Sequence, residues 1–362
     1  MTARAGLLPW SASPAAAWPY PRLVKLRIAA LSTLSAGAAS CLAAPPTGRI
    51  FLPLAGLFIL ACGCGALNQY QERALDARMP RTRRRPLPAG EIRPRAALLF
   101  AASLMPPGLF LLLRGGTSAA LLGLAAAIWY NGVYTSLKKR TALALLPGAL
   151  VGAIPPAIGW VSAGGDLADP RLPALCGLLF LWQVPHFGLL LLVHGEEYAA
   201  AGLPVLSELL PRRQLVRLVL IGMLGAATAG LLLPLPGTAW VLRAVLALSS
   251  LTLIASGWGI LSGGTAAARR AFLAINAYLI LVLVLAVLAV LATARNPPAA
   301  ALDNHVNREN IHPRTLTCPD LEGVGVDRIE QTSFGTAQGD LPPGCAAEAA
   351  TASLDANRRL LP

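Results

Sequence analysis

The chain has 362 residues, of which 55% are hydrophobic and only 13% are charged. Soluble domains carry about 25% charged residues, so this composition excludes an ordinary soluble protein. The net charge of +13 could suggest a nucleic-acid partner. No basic soluble domain is present to carry one, so we expect no nucleic acid to bind.

The apolar residues fall in stretches long enough to cross a bilayer as helices. Short alternating segments of the kind that build a membrane barrel do not occur. We therefore predict an all-α polytopic membrane protein with nine spans. They lie near 23–44, 50–67, 96–113, 118–136, 143–162, 172–193, 214–234, 238–261 and 270–293.

Charge and composition divide the chain into three parts. Residues 1–22 lack the compact apolar run of a cleaved signal and are expected to be an N-terminal cytoplasmic segment. Residues 23–295 form the transmembrane domain. Residues 296–362 are polar and are expected to be a mostly disordered tail, in which a Cys318–Cys345 disulfide is an open alternative.

The distribution of basic residues predicts the orientation of the chain in the membrane. With nine spans and an inner N-terminus, the outer loops carry only Arg49, Arg114, Arg171 and Arg243. The other loop Lys and Arg residues then lie inside, as the positive-inside rule requires. We expect the loop after the second span in the cytoplasm and the tail outside.

The first polar motif follows the second span. Asn68, Glu72 and Asp76 recur every four residues, so on a helix they form one polar ribbon. Carboxylate oxygens bind hard divalent cations, and guanidinium groups bind phosphate oxygens in forked pairs. The motif predicts a site for a metal-bridged diphosphate; the alternative is a solvated helix end before a topology-setting loop. Five arginines follow it, at Arg78, Arg81, Arg83, Arg84 and Arg85.

The second polar motif lies at the inner end of the fourth span. Tyr134 and Lys138 are four residues apart, so on a helix a phenol and an ammonium group share one face. Lys139 and Arg140 follow directly. The motif could bind one anion, or it could be an interfacial tyrosine with lysines that reach toward the membrane surface.

The third polar motif lies in the sixth span and at its inner end. Gln183, His186 and Glu197 share one helix face, and Glu196 stands beside Glu197. Two carboxylates here mirror those after the second span, so the two acidic ends could face each other across a cavity. The histidine could instead be a hydrogen-bonded packing residue, as polar groups inside membranes are costly unless they have a partner or a function.

These motifs occur in a fixed order that carries a resemblance. The blocks are Asn68-xxx-Glu72-xxx-Asp76, Arg81-Thr82-xx-Arg85-Pro86-Leu87, Tyr134-Thr-x-Leu-Lys138, Gly152-Ala-Ile-Pro155-Pro156-x-Ile-Gly159-Trp160, Trp182-Gln183-x-Pro185-His186-Phe187 and Glu197-Tyr198-x-x-Ala-Gly202-x-Pro204. The first resembles the acidic motif of the intramembrane (UbiA-type) prenyltransferases. The whole series, over roughly residues 20–295, is similar to the protoheme IX farnesyltransferases, or heme O synthases.

The resemblance implies a nine-helix bundle with a central cavity open to the cytoplasmic side of a bacterial inner membrane. It implies transfer of the farnesyl group of farnesyl diphosphate to the 2-vinyl group of heme B, with Mg²⁺ as cofactor. The lipid bilayer is a further partner, and heme A synthase or the assembly of a terminal oxidase is a candidate partner.

The resemblance also implies roles for individual residues. A catalytic role falls to Asn68, Glu72, Asp76, Tyr134 and Lys138, and metal binding to Asn68, Glu72, Asp76, Glu196 and Glu197. Diphosphate binding falls to Arg81, Arg85, Lys138 and Lys139. Gln183 and His186 are the candidates for contacting heme.

Several residues depart from the family's usual pattern. Glu72 and the Glu196–Glu197 pair stand where Asp is frequent, and Leu26 stands where the family usually has the Pro of Lys-Pro-Arg. Ala144 and Arg84 replace frequent Asn residues.

Two alternative functions stay open. One is a related prenyltransferase that acts on an aromatic or quinone precursor. The other is a polytopic transporter, which is disfavoured because the polar residues gather at one membrane face rather than at the midplane.

Overall fold

The computed structural model describes residues 19–45, 47–235, 240–261 and 263–295. Within these residues every regular element is helical, which confirms the predicted all-α fold. Nine helical segments of this described part are long and apolar enough to cross a membrane, and they match the nine predicted spans. The predicted tail, its cysteines and residues 1–18 lie outside the described residues.

Most connections between the helices are short, but the loop between Asp76 and Pro94 spans residues 77–93. Three helices are brief: α1 (Tyr20–Leu23), α6 (Thr135–Leu137) and α9 (Leu206–Leu209). The long ones are α2 (Leu26–Ala43), α3 (Phe51–Asp76), α4 (Pro94–Leu112), α5 (Thr117–Ile128), α7 (Leu145–Ser162), α8 (Arg171–Ala200), α10 (Arg212–Leu231), α11 (Trp240–Trp258) and α12 (Thr265–Arg295). A π-helical turn, Trp129–Tyr134, joins α5 to α6.

Two helices extend further than their predicted spans. α3 continues to Asp76, beyond the predicted end near residue 67, and α8 continues to Ala200, beyond residue 193. The polar residues at these positions therefore belong to the same rigid helices as the apolar segments before them. This continuity holds the side chains of the first and third polar motifs in a fixed register.

Small residues let the helices approach closely. α3 packs against α4, α2 against α7, and α8 against α7 and α10. At the contact between α2 and α7, a Cβ atom built on Gly159 would lie 1.9 Å from the carbonyl oxygen of Ala36. Close backbone contacts at glycine are a common way for helices to pack within membranes, where apolar side chains gain little by leaving lipid.

The contact at Gly159 generates a prediction about stability. Gly159→Ala is expected to lower the free energy of unfolding by about 1–3 kcal/mol, because α2 and α7 must separate to admit the methyl group. Gly177→Ala on α8 is the matched control, since a Cβ atom there meets nothing within 4 Å. Thermal unfolding in detergent measures both; equal melting temperatures would contradict the prediction.

Candidate functional site

A ribbon of three buried polar residues on α3 is the centre of the candidate site. Asn68, Glu72 and Asp76 are 1%, 3% and 1% exposed. Their four-residue spacing on a continuous helix stacks them on one face. Two carboxylates buried to this degree need cationic or metal partners, because burying an unpaired charge is costly.

Each member of the ribbon has a basic partner from a different part of the chain. Lys25, between α1 and α2, donates a hydrogen bond from Nζ to Asn68 Oδ1. Lys138 Nζ, after α6, lies 2.6 Å from Glu72 Oε1. Arg85, in the loop after α3, donates from one guanidinium nitrogen to both carboxylate oxygens of Asp76, at 2.9 and 2.7 Å. Three separate segments thus converge on one helix face.

Lys25 reaches the ribbon through an unusual backbone conformation. It has φ 53° and ψ 51°, the only left-handed residue other than glycine in the described part of the chain. Backbone strain of this kind in a residue other than glycine often marks a functional position. Its Nζ also lies 3.4 Å from the hydroxyl of Tyr130. Burial lowers the pKa of Lys25 to about 8, with Arg85 and Lys138 acting in the same direction and Glu72 and Asp76 opposing.

The π-helical turn brings further polar groups to α3. Thr135 accepts a hydrogen bond from Asn68 Nδ2 at 2.9 Å and donates one to the carbonyl of Tyr130 at 2.8 Å. Asn131 donates to the carbonyl of Cys64 at 3.0 Å. A π turn inserts an extra residue into the helix and re-aims the side chains around it, and such turns are frequent at functional sites.

The second predicted motif lies beside the ribbon. Tyr134 packs so closely on α7 that a Cβ atom on Gly148 would lie 2.6 Å from its ring, and Tyr134 stacks with Tyr130 at a centroid distance of 6.0 Å. Lys138 Nζ lies 5.9 Å from the Tyr134 ring centroid. Lys139 instead donates to the backbone carbonyl of Gln71 at 3.0 Å.

The loop after α3 connects the ribbon to the end of α8. The backbone amide of Arg81 donates to Glu197 Oε1 at 2.8 Å, and its guanidinium donates to the Tyr198 hydroxyl at 3.0 Å. His194 Nδ1 lies 3.4 Å from the other carboxylate oxygen of Glu197. The neighbouring Glu196 is exposed. The loop that follows the first acidic motif therefore contacts the second motif, and Glu197 is the member of the second motif that makes the contact.

The donor atoms of the ribbon fit a hard divalent cation that also binds substrate phosphates. No group of three or more His, Cys, Asp or Glu side chains that could hold a metal occurs in residues 19–45, 47–235, 240–261 and 263–295. Mg²⁺ does not need such a group, since it is usually bound by one or two carboxylates together with phosphate oxygens and water. Glu72 and Asp76 supply carboxylates of this kind.

The two residues predicted to contact heme lie on α8. Gln183 packs against α7, where a Cβ atom on Gly152 would lie 2.2 Å from Gln183 Nε2. His186 lies between two aromatic rings, with centroid distances of 4.6 Å to Trp182 and 4.8 Å to Phe272. Its Nδ1 is buried and forms no hydrogen bond with any of the described residues. An imidazole with one free ring nitrogen retains the capacity to bind a ligand.

Two cavities lie near these groups. A cavity of about 520 Å³ is lined by basic side chains from α1, the start of α2 and the loop after α3. A smaller cavity of about 290 Å³, between α8 and α12, is mainly apolar, with His194 and Arg269 in its lining. Both cavities border the functional motifs, but their linings suit different parts of a ligand.

The structure brings together most of the predicted site and adds residues that the sequence analysis missed. Asn68, Glu72, Asp76, Arg85 and Lys138 form one network. The missed members are Lys25, Tyr130, Asn131 and Thr135. The sequence analysis considered the region of Lys25 only as a departure from a usual Lys-Pro-Arg, and the left-handed turn at Lys25 shows why its side chain reaches α3.

The fold and the site define a multi-pass membrane protein with a buried acidic ribbon and facing cations at one end of its helix bundle. Residues 29–280 match the UbiA prenyltransferase family. The chain belongs to this family.

The relatives and solved structures that resemble the chain agree with that assignment. It is 45% identical over 186 residues to the protoheme IX farnesyltransferase of Geobacter sulfurreducens, covering 51% of this chain and 69% of the relative. It is also 45% identical over 193 residues to the protoheme IX farnesyltransferase of Oleidesulfovibrio alaskensis, covering 53% and 68%. A UbiA homolog from Archaeoglobus fulgidus, bound to DMAPP and Mg²⁺, has the same fold, with a TM-score of 0.56, 16% identity and coverage of 77% and 99%.

The hydrogen bonds of Thr135 generate a prediction about the site's integrity. Thr135→Val has nearly the same shape but leaves the buried Asn68 amide without its acceptor, so we expect the free energy of unfolding to fall by about 1–3 kcal/mol. Thr135→Ser keeps the hydroxyl and should recover most of the loss. Thermal unfolding in detergent compares the two. A Ser variant as unstable as the Val variant would show that the methyl group, and not the hydroxyl, is what matters.

Proposed function

We propose that the chain transfers the farnesyl group of farnesyl diphosphate to the 2-vinyl group of heme B, which yields heme O for heme–copper oxidases. The C1–O bond to diphosphate breaks and C1 bonds to the outer vinyl carbon. Water adds a hydroxyl group to the inner vinyl carbon and releases a proton. The observation that carries the proposal is the buried acidic ribbon with its cations, in a chain 45% identical over 186 residues to a protoheme IX farnesyltransferase.

The acidic residues would hold Mg²⁺ together with the diphosphate. Asn68, Glu72 and Asp76 offer oxygen donors on one face of α3, and Glu197 offers another beyond Arg81. Glu196 stays a predicted ligand. Bound there, Mg²⁺ supplies positive charge against the diphosphate oxygens, where negative charge grows as the allylic bond breaks.

The basic residues would bind the diphosphate oxygens. Arg85 and Lys138 lie within ion-pair distance of Asp76 and Glu72, so they would also lie close to a diphosphate bound beside these carboxylates. Arg81 and Lys25 line the same cavity as Arg85 and would add two further cations, and Lys139 stays a predicted contact. Cations aimed at the leaving group stabilise the transition state more than the ground state.

Aromatic and apolar side chains would protect the allylic cation from water. Tyr130 and Tyr134 stack beside the ribbon, where their rings can face developing positive charge and the Tyr134 hydroxyl can reach the leaving group.

Gln183 and His186 are the proposed heme contacts on α8. Heme affinity and the absorption spectrum of bound heme are measured in the His186→Ala variant. If both are unchanged, the imidazole is not a ligand of the heme iron.

The proposed location is the bacterial inner membrane, with residues 23–295 as the transferase domain. The N-terminus and the loop after α3 would lie in the cytoplasm and the tail outside, because the basic residues concentrate on the loops of that side. Farnesyl diphosphate would then reach the ribbon from the cytoplasm and heme B from the bilayer.

The proposed reaction predicts a metal-dependent product. Membranes containing the protein, supplied with heme B, farnesyl diphosphate and Mg²⁺, should form heme O, identified by chromatography and mass. EDTA should abolish it, and Asp76→Asn should lower the rate at least about a hundredfold, as removal of one group that stabilises transition-state charge commonly does. Glu208→Gln, at an exposed carboxylate on α9, is the matched control. Folded, inserted protein that makes no heme O but prenylates a quinone precursor would overturn the proposal.

The lowered pKa of Lys25 predicts how diphosphate binding depends on pH. Lys25 is cationic below its pKa of about 8 and neutral above it, so KM for farnesyl diphosphate should rise as pH increases through 8. Lys25→Arg keeps its charge throughout this range and should flatten the profile. Lys25→Gln should give a raised KM at every pH. A rise that persists unchanged in Lys25→Arg would assign the titration to another group.

A further inference from the structure

The larger cavity carries more positive charge than the proposed diphosphate site requires. Its lining contains six cationic side chains and no carboxylate: Arg22, Lys25, Arg27, Arg81, Arg84 and Arg85. Two of them face the acidic ribbon, since Lys25 bonds Asn68 and Arg85 bonds Asp76. Arg81 bonds Tyr198 on α8. These three belong to the proposed diphosphate site.

The other three arginines of the same lining form no ion pair with the acidic ribbon. Arg22 pairs with Glu91 at 2.7 Å and also donates to the backbone carbonyl of Arg84 at 2.6 Å, which fixes the loop against α1. Arg27 and Arg84 are exposed, and no carboxylate of the described residues lies within ion-pair distance of either. Two guanidinium groups therefore face the cavity with their charge uncompensated.

The border of the cavity is apolar on the side of α2. Leu26 and Ile28 line it and are 44% and 58% exposed, and the same helix exposes Leu31 and Leu34 further along. An exposed aliphatic surface on a membrane-spanning helix faces lipid. The lining of the cavity thus combines cationic side chains with exposed aliphatic side chains of a membrane-spanning helix, which suits an anion that is itself largely apolar.

We propose that this cavity binds the two propionate carboxylates of the acceptor porphyrin, with Arg27 and Arg84 as the principal contacts. The inference rests on the proposed function, in which heme B is the acceptor. Guanidinium groups bind carboxylates through forked, charge-assisted hydrogen bonds. The propionates occupy one edge of the macrocycle and the vinyl groups the opposite edge, so this anchor would present the vinyl edge away from the arginines.

Binding of heme B in the absence of farnesyl diphosphate tests the proposal. The protein is reconstituted in phosphatidylcholine nanodiscs and titrated with heme B by absorbance. Arg27→Gln and Arg84→Gln should each raise Kd about tenfold, the effect of losing one charge-assisted hydrogen bond of about 1.4 kcal/mol. Arg83→Gln, an exposed arginine of the same loop outside the lining, is the matched control and should leave Kd unchanged.

The dimethyl ester of heme B separates carboxylate recognition from a structural defect. It should bind the unaltered protein about as weakly as heme B binds the variants, and the variants should bind it no more weakly than the unaltered protein does. KM for farnesyl diphosphate should stay the same in both variants. Equal losses of affinity for heme B and its ester would overturn the proposal.

Two further outcomes are distinguishable. If the variants lose heme affinity only in nanodiscs that contain phosphatidylglycerol, the cavity binds a lipid headgroup and the propionate assignment is wrong. If the unaltered protein binds heme B through these arginines but forms no heme O, the propionate site stands and the proposed reaction fails.

Discussion

The buried polar ribbon of α3 is the constraint on which the rest of the site depends. Two carboxylates and an amide at 1–3% exposure cannot remain without partners in a membrane protein. Each partner comes from a different segment and imposes its own geometry. The chain turns through a left-handed residue at Lys25, the loop after α3 folds back so that Arg85 meets Asp76, and a π turn precedes Lys138. The close contacts of α3 with α4 and of α2 with α7 hold these segments in place.

The same pairing explains why the site suits a metal-bound diphosphate. The carboxylates and cations alternate within ion-pair distance, so a metal and a diphosphate can each find opposite charge without large rearrangement of the backbone. Preorganised charge of this kind stabilises a leaving group effectively because little reorganisation is needed during the reaction. Beyond the ribbon, the cationic lining continues into a cavity bordered by lipid-facing leucine and isoleucine. The polar and apolar parts of two amphipathic substrates can therefore contact different side chains at the same end of the bundle.

Features that depend on local periodicity could be predicted from the sequence. The nine spans follow from apolar length, and the alignment of Asn68, Glu72 and Asp76 follows from a four-residue repeat. What could not be predicted depends on contacts between distant segments. Lys25 and Asn68 are 43 residues apart, and Lys25 and Tyr130 are 105 apart. Neither the left-handed turn nor the π turn has a local sequence pattern that reveals it, so Lys25, Tyr130, Asn131 and Thr135 were missed. Glu197 was predicted as a metal ligand, but its bond to the Arg81 amide required the structure.

The account's central claim is that the ribbon holds a metal together with the diphosphate of the prenyl donor. Electron paramagnetic resonance of Mn²⁺ in place of Mg²⁺ tests it most directly, with a farnesyl diphosphate analogue that cannot ionise and carries ¹⁷O in its diphosphate. The account predicts that Mn²⁺ binds tightly only with the analogue present, that its lines broaden through coupling to ¹⁷O, and that Glu72→Gln weakens binding. Equally tight Mn²⁺ binding in the Glu72→Gln variant, with no broadening from ¹⁷O, would place the metal elsewhere and contradict the account.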